Sequence, residues 1–73
     1  MTKEEVNIVC DLLDLKAELM KQIFTAQDLM EVYRKDDNIE GFKYQCGRKH
    51  ALLNAMTMIS THINKIKNGG ING

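Results

Sequence analysis

The sequence contains no proline among its 73 residues, so nothing in it forces a long helix to break. It has only two cysteines, Cys10 and Cys46. They stand far apart and outside any paired motif, which excludes a disulfide framework and fits a reducing compartment. No histidine and cysteine spacing of a metal site occurs, so no metal or cofactor is implied. No stretch approaches the roughly 18 apolar residues of a membrane span. The start, Met1-Thr2-Lys3-Glu4-Glu5, is charged and leads into no uninterrupted apolar run of a signal peptide. A cytoplasmic protein without membrane contact is therefore expected. Net charge is zero, so whole-molecule charge selects neither nucleic acid nor membrane. A chain this short usually leans on disulfides, a metal or association. With the first two set aside, association remains.

What is present is helical. Thr2 and Glu5 form the pattern of a capping box, with Met1 and Val6 placed for a hydrophobic staple. The first helix is predicted over about residues 3–34. Its polar stripe is regular: Glu4, Asn7, Asp11, Asp14, Glu18, Lys21, Thr25 and Asp28 alternate at spacings of three and four. Much of the remaining circumference is apolar, from Val6, Ile8 and Val9 through Leu12, Leu13, Leu15, Leu19, Met20, Ile23 and Phe24 to Leu29 and Met30. A helix in a simple hairpin needs one apolar stripe, and this one has material for two.

The turn falls at residues 35–38. Asp37 followed by Glu40 repeats the capping signature, and the second helix is predicted over about 39–67. Asn68, Gly69 and Gly70 stop it, with glycine supplying the left-handed cap and Lys65 and Lys67 complementing the helix dipole. Residues 69–73 read as a loose tail after one domain over 1–68. The second helix has a seam of Leu52, Met56, Ile59, Ile63 and Ile66, at a coiled-coil rhythm. Upstream Phe42 fits the seam, whereas Gln45 and Lys49 do not. Beside it run Gly47, Ala51 and Ala55, small residues that let another backbone come close. Gly41 and Gly47 each cost up to about 1 kcal/mol of helix propensity, which implies close packing there or a frayed first turn. The architecture that follows is an all-α antiparallel pair of long helices, self-associating into a helical bundle.

Charge is divided between the halves. Residues 1–33 carry seven acidic and three basic side chains, and residues 34–73 three acidic and seven basic. Attraction between antiparallel helices explains this division. Cys10 and His62 fall level in such a hairpin but would supply only half a metal site. Cys10 therefore reads as a small core residue and His62 as partly exposed. The carboxylates of the first helix read as a solvated face rather than as acids or bases of an enzyme. Asn54, Thr57, Thr61 and Asn64 form an uncharged polar row, either plain solvent surface or a hydrogen-bonding contact face. One group has less structural reason: Arg34, Lys35, Lys43, Tyr44, Arg48 and Lys49, the candidate binding residues. Arginine, lysine and tyrosine together hold phosphates and stack on rings. Pairing of Arg48 and Lys49 with Asp28 and Glu31 across the hairpin is the structural alternative.

The span from Tyr44 to Ile59, with Gly47, Ala51, Leu52 and Ala55 between, resembles the second helix of many small phage and prophage accessory proteins. It covers about a quarter of the chain. The resemblance implies a host-takeover or anti-defence factor that binds a host protein or a signalling molecule. Cyclic-nucleotide sponges of helical-hairpin form are a looser comparison. Three functions are thus expected in order: a non-enzymatic interaction protein that binds a host partner as a helical oligomer, an oligomeric binder of a small phosphorylated or cyclic-nucleotide ligand, and a structural assembly subunit.

Overall fold

In the computed structural model, which describes residues 1–69, the first helix opens where the capping pattern places it. The Thr2 hydroxyl accepts the Glu5 backbone N–H at 3.1 Å, and the Glu5 carboxylate accepts the Thr2 N–H at 2.8 Å. Helix α1 then runs Lys3–Lys35 and helix α2 runs Ile39–Lys67. The two form the expected all-α hairpin. Met1 and Val6, placed for a staple, both remain exposed.

The connection is only three residues. The Asp36 N–H donates to the Val32 carbonyl at 3.1 Å and closes the last turn of α1. Asp37 takes the left-handed conformation at φ 57°. Its N–H donates to the Arg34 carbonyl at 3.2 Å, and the Asn38 N–H donates to the Tyr33 carbonyl at 2.8 Å. These two bonds make a Schellman termination of α1. The cap of α2 is Asn38, whose Oδ1 accepts the Gly41 N–H at 3.0 Å. The capping role assigned to Asp37 thus belongs to its neighbour. Aspartate tolerates the left-handed region that the chain reversal needs, and asparagine is an equally good cap. At the far end Asn68 caps α2 and Gly69 is left-handed at φ 83°. Of the tail expected over 69–73, only Gly69 belongs to the described residues.

The helices meet along one seam each. Val9, Leu12, Lys16, Leu19, Ile23, Ala26, Met30 and Tyr33 on α1 are buried or half-buried, at alternating spacings of three and four. Phe42, Gln45, Lys49, Leu52, Met56, Ile59, Ile63 and Ile66 do the same on α2. This is a heptad seam over the whole hairpin. The predicted weakening at Gln45 and Lys49 is corrected: both lie in the seam, and Gln45 is buried at 6 % exposure. Arg48 donates to Gln45 Oε1 at 3.2 Å, which satisfies the amide oxygen. The register is set near the turn, where Gly41 faces the Tyr33 ring. A Cβ on Gly41 would lie 2.9 Å from Tyr33 Cγ. In that register Lys49 falls about level with Ala26, the most buried residue of the α1 seam.

The product is a slab of 51 × 20 × 10 Å, one helix thick. Among the described residues the buried apolar ones are few: Val9, Ile23, Ala26 and Ile63. Leu52, Met56 and Ile59, expected in the core, are half-buried. No described helix is long and apolar enough to cross a membrane.

Candidate functional site

Three surfaces compete for the role of site, and each follows from where the helices turn their side chains. The first is the basic group. Arg34, at the end of α1, donates from Nη2 to Glu31 Oε1 at 2.6 Å. That bond and the charge behind it raise the Arg34 pKa and lower that of Glu31. Lys35 is exposed as the last residue of α1, and Lys43 and Tyr44 are exposed one turn into α2. Arg48 is half-buried on Gln45, and Lys49 is half-buried in the seam. Arg48 and Tyr44 share a side of α2, being four residues apart, whereas Lys43 and Lys49 are turned well away from each other. The six residues therefore occupy the same end of the hairpin without converging on a single point. Both ion pairs among the described residues lie within α1, Arg34 with Glu31 and Lys21 with Glu18 at 4.0 Å. The pairing of Arg48 and Lys49 with Asp28 and Glu31 across the hairpin is not formed. Arg48 is engaged with its own helix, and Glu31 with Arg34.

The second surface is a hollow of about 290 Å³ at the turn, lined by Tyr33, Arg34, Asp37, Asn38, Ile39 and Phe42. It lies where the chain reverses, with the Tyr33 and Phe42 rings in its wall. Of the six basic-group residues, only Arg34 lines it. Asp37 stands in the same wall with the opposite charge.

No family model, curated protein or solved structure matches the chain. The third surface is apolar. Val6, Ile8, Leu13, Leu15, Met20 and Phe24 of α1 are all exposed, flanking the seam on both sides. On α2, Tyr44, Leu53 and Met58 are exposed as well. Cys10 also belongs to this surface: it is exposed, not a core residue as expected. Val9 holds the seam position, and one residue further the helix has turned about 100° out of it. His62 is exposed.

The polar surfaces are quieter. The stripe from Glu4 to Asp28 is exposed at every position. In the row from Asn54 to Asn64, Thr57 donates to the Leu53 carbonyl and Thr61 to the Thr57 carbonyl. Both hydroxyl protons of that row are thereby turned inward onto the helix. The exposed apolar rows are the feature that sequence reading registered only as an excess. Separating them needs the seam to be fixed first, since each row is defined by its angle from the seam.

Proposed function

We propose that this is a non-enzymatic interaction protein, a helical hairpin that works as an oligomer by covering a surface of a host protein, in the manner of a small phage-type inhibitor or adaptor. It would act in the cytoplasm of the host cell. The observation that carries the reading is the exposed apolar surface of α1. Six large apolar side chains flank the seam uncovered, in one row on each side of it, and exposed apolar surface beyond scattered single residues marks interaction sites. The resemblance of α2 to phage accessory helices supports the same choice.

Sequestration of a small phosphorylated or cyclic-nucleotide ligand is the second reading. One observation favours it: Arg34 stands in the wall of a hollow that Tyr33 and Phe42 also line. Asp37 in that wall opposes an anion, which ranks this reading below the first.

Native mass spectrometry of the protein purified from an expressing host separates the two. The expected species is a multiple of the 8.3 kDa chain carrying a stoichiometric host polypeptide. A retained phosphorylated small molecule in place of the polypeptide would transfer the function to the second reading. A large ordered assembly with neither would make the chain a structural subunit.

A further inference from the structure

One row among the exposed apolar residues has an order of its own. Val6, Cys10, Leu13, Ala17, Met20 and Phe24 follow at spacings of 4, 3, 4, 3 and 4, all exposed on one side of α1. This is a second heptad stripe, parallel to the seam and rotated away from it. The order of sizes along it is informative. Paired antiparallel with a copy of itself about a point midway between Leu13 and Ala17, it sets Val6 against Phe24, Cys10 against Met20, and Leu13 against Ala17. Every layer then joins one larger and one smaller side chain, the alternation that fills a core without voids or overlap. A parallel pairing would set Phe24 on Phe24 and Ala17 on Ala17. Slipping the antiparallel pair by one heptad would set Val6 against Glu31 in one direction and Met20 against Lys3 in the other. Only one antiparallel register buries all six residues.

The area agrees with the pattern. The chain exposes 5496 Å², whereas a compact chain of this mass exposes about 4,600 Å². The excess of about 900 Å² belongs to the whole slab, and it is enough for one interface of the standard size, roughly 800 Å² per partner.

We propose that the Val6–Phe24 stripe of α1 is where a second copy of this chain docks, antiparallel about a two-fold axis, to give a four-helix assembly. The inference rests on the reading that the protein works as an oligomer, and it names the surface. The interface is isologous, so each contact occurs twice. It leaves Ile8 and Leu15, on the other side of the α1 seam, together with α2 and the turn, outside the pairing and available to a host partner.

The test uses the full chain with Cys46→Ser, so that Cys10 is the one thiol. Adding Met20→Cys is expected to give, on mild oxidation, a covalent dimer of twice the 8.3 kDa chain mass. Peptide mapping of it should join position 10 to position 20. Within one helix those positions are about 15 Å apart, beyond the roughly 7 Å that a disulfide spans, so the bond must lie between chains. The parent with Cys10 alone should not cross-link, because its layer partner is Met20. In a second variant, Leu13→Glu should weaken dimerisation at least tenfold by sedimentation while the helical circular dichroism persists. If that variant unfolds, the cross-linking result decides alone. Cross-linking through Cys10 alone would mean a parallel pair and overturn the proposal. An oligomer that forms no 10-to-20 bond also overturns it and leaves the broader reading standing. A monomer at all concentrations overturns the proposal and the oligomeric reading together.

Discussion

Asn38 serves both helices at once. Its backbone N–H closes the end of α1 on Tyr33, and its side chain caps the start of α2 on Gly41. The sequence made a turn at this place legible, since Lys35, Asp36, Asp37 and Asn38 form a polar run with no apolar residue inside it. It did not make legible which residue caps, because Asp37 and Asn38 are both competent and only the backbone decides. The two helical glycines were ambiguous for a similar reason: composition states their cost and not their surroundings. Gly41 lies against the Tyr33 ring, and a Cβ on Gly47 would meet nothing within 4 Å. Gly47→Ala is therefore expected to stabilise by roughly 0.5–1 kcal/mol through helix propensity. Gly41→Ala should destabilise, because Tyr33 must shift. Thermal melts of the two variants should move in opposite directions, and a shared upward shift would show that the Tyr33 contact is slack. A second expectation concerns acid. The Thr2 backbone N–H, followed by the Thr2 hydroxyl, lowers the Glu5 pKa, and the Arg34 hydrogen bond, followed by its charge, lowers that of Glu31. Folded values below the unfolded one mean that this stabilisation is present above about pH 4.3. It is lost as pH falls through the folded values. Melting temperature should decline from about pH 5 downward, and Glu5→Gln should flatten the decline. An unchanged slope would place the acid sensitivity elsewhere.

The helices themselves were readable almost to their ends, because a capping box, an uninterrupted 3.6-residue pattern and terminal glycine all point the same way. The seam was readable only where it is apolar. From Leu52 onward hydrophobic identity marks it, while at Lys16, Gln45 and Lys49 the residue types conceal it. The backbone continues its rhythm regardless, and a long lysine stem or a hydrogen-bonded amide occupies a seam position without an apolar label. A polar residue at a seam position fixes register at a cost in stability, and three of them here are consistent with a single pairing of the helices. Burial along α2 also grades the cost of truncation. Ile63 is 6 % exposed, and Ile59 is half-buried. Ile63→Ala is expected to cost about 2–5 kcal/mol, and Ile59→Ala less. Chemical denaturation of both variants checks the order. Equal losses would mean that Ile59 gains cover from a neighbouring chain.

At the scale of the molecule, the shape explains why a site was hard to read from sequence. The radius of gyration is 16.4 Å, against about 11 Å for a compact chain of this length. A slab one helix thick has two broad faces, and which face a residue joins depends on its angle from the seam. Arg34, Lys43 and Arg48 looked like a group because they are near in sequence, yet only Arg34 reaches the hollow beside the turn. The apolar excess of α1 was legible as a quantity, and its division into a seam and a second stripe was not.

The three-residue connection has a kinetic meaning. Contacts beside it join residues close in sequence, and each further layer joins residues farther apart, so closing the loop costs least at Tyr33 and Gly41. The hairpin should form like a zipper drawn from the turn toward the free ends, and open in the reverse order. The stripe from Val6 to Phe24 lies in α1 away from that starting point, along the stretch that zips last. A second chain held there would close the end that the turn restrains least.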